Sequence, residues 1–205
     1  PKRRYDDLQK QYETLGKGAY GKSFMEAENL FHSGKFMAAK PFYHIYLEKF
    51  IKGKRRSKAF FRLGLIDQNA KSFSTALGFY QMLLNEDPKI LLINDIKFNM
   101  AVCNFEIGKF DAAEKLFITV IRKSIDKKKK WKSLYFLARL DGMRFGFDKA
   151  ISKLKKVYAQ TDDRGMSKQA FKLTKEMIDG EIGERVLSSL LQNYEKGFPA
   201  DLLLL

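Results

Sequence analysis

Few side chains in this 205-residue sequence are of the types that catalysis or metal binding uses, and their spacing defeats each such reading. His32 and His44 are the only histidines, and neither has a cysteine nearby to complete a metal-ligand set. Both read as surface or interface residues. Cys103 is the one cysteine, so an internal disulfide framework is excluded. Beside Ala101 and Val102 it reads as a small buried filler. The segment GKGAYGKS at 16–23 has the residue types of a phosphate-binding loop but not its spacing, and no strand precedes it. It reads as a linker. G-x-S-x-G and HExxH are missing, and the carboxylates form no pair distinct from a solvated helical face. An enzyme is therefore not expected, nor a cofactor, a metal or a small-molecule substrate.

Charge is the compositional anomaly: 39 Lys and Arg against 24 Asp and Glu give a formal +15. Such an excess fits an anionic neighbour, namely nucleic acid, a membrane surface or an acidic protein; the alternative is a lysine-rich surface facing water. Hydrophobic residues make up 45%, as in ordinary folded chains, and Pro is scarce at four. No run approaches the ~20 apolar residues that span a bilayer, and none near Pro1 reads as a signal peptide. The four leucines 202–205 read as an interrupted helix with more protein beyond.

The elements that position these residues follow from an internal repeat. Phe36, Phe73, Phe110 and Phe147 fall 37 residues apart, as do Ala39, Ala76, Ala113 and Ala150. Four residues after each alanine come Tyr43, Tyr80, Phe117 and Leu154, and three further on Tyr46, Leu83, Val120 and Val157. Steps of four and three keep these side chains on one helical face. In the preceding halves Ala27, Gly64, Ala101 and Ala138 form a row of small residues, as close helix crossings require. Each unit is thus a helix of roughly 14 residues, a turn at Lys35, Ser72, Lys109 or Gly146, and a second helix.

This pattern of small residue, then Ala, aromatic and aliphatic, with Pro88 closing a unit, resembles the tetratricopeptide repeat family. The resemblance covers about residues 20–160 and implies an all-α fold: a right-handed superhelical solenoid of antiparallel helix pairs. Two departures stand out. The usual first-helix aromatic is replaced by Ser23, Lys97 and Leu134, with only Phe60 keeping the type, and the usual Tyr by Leu30, Asp67, Asn104 and Asp141. The longer repeats resemble those of bacterial envelope proteins, such as the outer-membrane assembly lipoprotein and the Tol-Pal coordinator, and that resemblance favours the bacterial envelope or periplasm over the cytoplasm, the other compartment left open. The expected domains are an N-terminal helix with a glycine-containing linker at 1–19 and four repeats at 20–163, starting near 20, 57, 94 and 131. A degenerate fifth pair and a truncated helix follow at 164–205. In that fifth unit Phe171, Leu173, Met177 and Ile178 should form the first apolar face and Val186–Tyr194 the second helix, with Lys175 at the small-residue position.

Two surfaces then become candidates. Phe24, Phe61, Phe98 and Tyr135 recur at the 37-residue period on the first helices, with Phe31 and Phe105 further along the same side. In the family this side is concave and contacts ligands, and Glu28 and Arg139 would stand at its rim. The Lys and Asn of the familiar carboxylate clamp are replaced by aromatics. Either the ladder packs between helices, or it forms a groove for a peptide or amphipathic helix. The second surface is basic: Lys52, Lys54, Arg55, Arg56 and Lys58, and Lys127, Lys128, Lys129, Lys130 and Lys132, read as equivalent inter-repeat loops on one edge. The leading expectation is a non-catalytic protein-binding scaffold. A nucleic-acid-binding repeat is the second, although no pair of base-reading polar residues follows the period. A third is a structural module whose groove is filled by its own chain. Weak contact with polyanions or anionic membrane is expected of the basic runs.

Overall fold

The four-then-three spacing is realised as helices throughout the computed structural model, which describes residues 19–181. Nine helices and no strand occur among the described residues: α1 Ala19–His32, α2 Phe36–Lys49, α3 Arg56–Asn69, α4 Phe73–Glu86, α5 Ile93–Glu106, α6 Phe110–Lys123, α7 Lys127–Met143, α8 Phe147–Gln160 and α9 Arg164–Glu181. Eight open within four residues of the positions set by the repeat, and seven are 14 residues long. The chain forms two compact units, through Ile96 and from Lys97. The expected N-terminal helix, Gly16 and Gly18, the second helix of the fifth unit and the truncated helix after it lie outside the described residues.

In the first unit Ala27, Ala39, Tyr43, Tyr46, Ala59, Leu63 and Ile66 make one buried cluster joining α1, α2 and α3. In the second, Ala101, Ala113, Phe117, Leu137 and Leu140 join α5, α6 and α7, and Ala138, Ala150, Leu154, Val157, Met166 and Ala170 join α7, α8 and α9. Of the four rows read on the second helices, those of Ala39, Tyr43 and Tyr46 are buried, and that of Phe36, Phe73, Phe110 and Phe147 is half-buried. Each such Leu, Val or Phe contributes about 1.5–3 kcal/mol by leaving water.

The turns follow the same period. Gly34, Lys71, Gly108 and Phe145, each 37 residues from the next, have φ of +74°, +61°, +78° and +59°. The next N–H closes back on the preceding helix: Lys35 to the Leu30 carbonyl at 2.9 Å, and Ser72, Lys109 and Gly146 to Asp67, Asn104 and Asp141 at 2.8 Å. This left-handed closure satisfies carbonyls that the helix end leaves open.

Three expectations are corrected. Residues 19–23, read as linker, form the start of α1. The basic runs are not loops. Arg56 and Lys58 lie in α3, with Arg55 as its N-cap, and Lys127, Lys128, Lys129, Lys130 and Lys132 lie in α7; only Lys52 and Lys54 stay in a connection. The cause is local: Asp126 caps α7 by accepting the Lys129 N–H at 3.2 Å and pairs with Lys129 Nζ at 2.5 Å, so a lysine run of good helix propensity becomes its first turns. In α9 the buried face is Met166, Ala170 and Thr174, whereas Phe171 is exposed and Leu173, Met177 and Ile178 are half-buried. Lys175 faces water.

Candidate binding surfaces

The aromatic positions divide by environment. Phe24 is 3% exposed, held edge-on by Tyr43 with ring centroids 5.8 Å apart and by the tilted ring of Tyr46 at 4.9 Å. Arg55 and Lys58 lie over its face at 5.2 and 5.8 Å, closing it from solvent. Phe105 is also buried, against Phe110 and Phe136. Phe31, Phe61, Phe98 and Tyr135 are half-buried. Phe61 and Phe98 lean on Tyr80 and Phe117, the large residues of the second helix, at 6.2 and 6.0 Å. Each such ring is thus largely spent on packing, with part of it left accessible.

Charge separates the two units further. In the first, Arg62 stacks 4.1 Å over Phe31, but its guanidinium is taken by Glu28, with Nε to Oε1 at 3.1 Å. Glu28 also pairs with Lys58 at 2.5 Å and accepts the Tyr43 hydroxyl at 2.6 Å. Burial alone would push this carboxyl up, yet the hydrogen bonds from Lys58, Tyr43 and Arg62 outweigh it and hold the pKa at about 2. Tyr43 is driven up, by burial first and then by the Glu28 carboxylate. Glu28 therefore ties α1, α2 and α3 together instead of standing at a rim.

In the second unit Arg139 lies 4.4 Å over Phe105 and 5.5 Å over Phe136, and no carboxylate among the described residues pairs with it. Tyr135 is one helical turn away on α7, its hydroxyl pKa raised mainly by burial. Phe98 and Tyr135 both touch the Phe136 ring, at 6.5 and 6.0 Å. Phe136 escaped sequence reasoning because its counterparts Met25, Arg62 and Asn99 are not aromatic. A pocket of about 340 Å³ between α8 and α9, lined by Tyr158, Arg164, Ser167, Lys168 and Phe171, was likewise not legible.

The basic residues are partly consumed within the fold. Arg56 holds the Glu86 carboxylate and donates to the Leu47 and Phe50 carbonyls at 2.7 and 3.1 Å. Lys128 pairs with Asp163 at 3.0 Å. Lys52, Lys54, Lys127, Lys130 and Lys132 have no such partner among the described residues. His32 lies 3.6 Å from Glu28, and His44 packs on Phe79 at 5.7 Å. Cys103 is buried, and burial, aided by Glu106, pushes its pKa up to about 12. No three His, Cys, Asp or Glu converge as metal ligands among the described residues, and no helix there is long and apolar enough to cross a membrane.

No family model matches the chain, and no curated protein matches it in sequence. Solved structures do match in fold. A tetratricopeptide repeat protein from Parabacteroides merdae superposes with a TM-score of 0.62 at 17% identity, over 90% of this chain and 69% of that one. The fold is that of the tetratricopeptide repeat. BtubC (BKLC) from P. vanneervenii gives a TM-score of 0.62 at 14% identity, over 92% and 89% of the two chains. A putative kinesin light chain from Podosopora anserina with nearly identical TPR-like repeats gives 0.59 at 13%, over 84% and 92%. The helical fold is thus shared with these solved structures while identity stays at 13–17%.

Proposed function

We propose that the chain is a non-catalytic scaffold that binds a peptide or helix of another protein on the first-helix face of its second unit. The observation that carries this reading is Arg139. Its guanidinium is spread on Phe105 and Phe136, pairs with no carboxylate among the described residues, and shares the Phe136 ring with the half-buried Phe98 and Tyr135. An aromatic floor with an uncompensated cation fits an apolar side chain flanked by Asp or Glu, and Arg and aromatics are the residues that dominate interface energetics. The tetratricopeptide fold supports a scaffold because successive pairs present first helices side by side. In the first unit Arg62 and Lys58 already serve Glu28, which leaves Phe61 and Phe31 there as apolar surface without a free cation.

Photo-crosslinking from position 98 in native extract, with nuclease treatment, identifies the partner. Arg139→Glu should then weaken the identified complex at least about tenfold, the loss of one buried charge-assisted contact. A crosslinked species that is nucleic acid, or a complex indifferent to Arg139→Glu, would replace this reading.

A further inference from the structure

Among the described residues, the aliphatic side chains most open to solvent share one kind of place. Leu91, Ile125 and Ile51 are 99%, 98% and 77% exposed, and each sits in a connection between the second helix of one pair and the first helix of the next. Ile51 and Ile125 occupy the same repeat position, 74 residues apart. Each has exposed lysine beside it: Lys52 and Lys54 after Ile51, Lys89 before Leu91, and Lys127 after Ile125. None of these four lysines has a carboxylate partner among the described residues. In the first unit Arg56 gathers the two connections at one end, because it holds the carbonyls ending α2 and the Glu86 carboxylate ending α4.

Single exposed aliphatics are common on protein surfaces, but here each has an unpaired lysine beside it, and one type of boundary takes both groups. Nucleic acid would take the lysines but has little use for alkyl groups, since bases are held by stacking on rings. A lipid interface takes both, the cations among anionic headgroups and the alkyl groups at the acyl boundary. We propose that the inter-pair connections of each unit dock on an anionic bilayer surface, with Ile51 and Leu91 of the first unit and Ile125 of the second entering the acyl boundary. This is independent of the peptide reading, which uses α5 and α7.

The test uses the 205-residue chain with vesicles of phosphatidylcholine, alone or with about 30% phosphatidylserine, at ~0.15 M salt. Binding should require the anionic lipid. The triple variant Ile51→Glu, Leu91→Glu and Ile125→Glu should lower partitioning at least ~tenfold with unchanged helical signal, because all three side chains face water in the free protein. As a direct probe of insertion that does not depend on the triple variant folding, Ile51→Cys and Ile125→Cys, each labelled with an environment-sensitive dye, should shift to the blue on anionic vesicles. The buried Cys103 should stay unlabelled. Absence of vesicle binding, an unshifted dye, or binding lost on lysine replacement but not on aliphatic replacement overturns the proposal. So does tight binding of polyuridylate at the same salt without vesicle binding, which would make the face a nucleic-acid surface.

Discussion

A Cβ added to Gly64 would lie 2.8 Å from both Cδ1 and Cζ of the Tyr80 ring. That ring is fully buried and tethered through its hydroxyl to Gln68 Oε1 at 2.8 Å, so it has no room to retreat. The crossing of α3 and α4 is therefore closer than the other pairs need, where Ala27, Ala101 and Ala138 fill the same position. Gly64→Ala should destabilise by about 1–3 kcal/mol through overpacking, despite the ~1 kcal/mol that alanine gains as a helix former. Adding Tyr80→Leu, the residue type found at Leu154, should recover part of the loss. Denaturant midpoints of the two single variants and the double settle this: simple additivity would mean the two positions do not meet.

The left-handed turn positions lead to a second prediction. Lys71 and Phe145 hold φ of +61° and +59°, where the equivalent turns use Gly34 and Gly108. Side chains with a Cβ cost roughly 1–2 kcal/mol in this region, partly offset by the greater freedom glycine has when unfolded. Lys71→Gly and Phe145→Gly should each raise the melting temperature, by about 0.5–1 kcal/mol equivalent. Gly34→Ala and Gly108→Ala should lower it by a similar amount, although a Cβ at either glycine meets nothing within 4 Å.

Glu28 sets the acid limb of stability. Its folded pKa of about 2 lies below the ordinary 4.5, so the unfolded chain binds the proton more readily. The stabilisation is complete above pH 4.5 and is lost progressively as pH falls towards 2. Asp126 is also lowered, chiefly by its hydrogen bond with Lys129, and acts in the same direction. Glu28→Gln should reduce stability at neutral pH and flatten the fall below pH 4.5, as read from urea midpoints at several pH values. An unchanged acid limb would assign the network no net contribution.

The second-helix core could be read directly because Ala39, Tyr43 and Tyr46 and their counterparts repeat without a gap at a spacing that only a helix places on one face. The turns were only half legible. The row Gly34, Lys71, Gly108, Phe145 mixes glycine with residues that seldom enter the left-handed region, so no residue type announces it. Asp67, where the family resemblance places Tyr, is buried and pairs with Lys40, a contact spanning 27 residues that no local pattern encodes. The basic runs were misplaced because lysines serve loops and helix starts equally; Asp126 decides, as a single cap. For the aromatic ladder, periodicity located the rings but could not say which were covered, since the covers at Phe24 are Arg55 and Lys58, outside the ladder itself.

The ladder should therefore split when truncated. Phe105 is buried under Arg139 and between Phe110 and Phe136, so Phe105→Ala should cost about 3–5 kcal/mol and lower binding only through unfolding. Phe61 is half-buried with Tyr80 as its ring neighbour, and Phe98 is half-buried against Phe117 and Phe136. Each loses less apolar burial on truncation, so Phe61→Ala and Phe98→Ala should cost roughly 1–2 kcal/mol and leave the helical signal intact. If the accessible edges of these rings receive a peptide, Phe98→Ala should weaken the identified complex well beyond its effect on stability, and Arg139→Met should do so with little effect on stability. Melting curves and titrations of the same preparations separate the two quantities. A Phe98→Ala protein that binds normally, or one destabilised as severely as Phe105→Ala, would show that the ladder exists to pack helices and that the partner docks elsewhere.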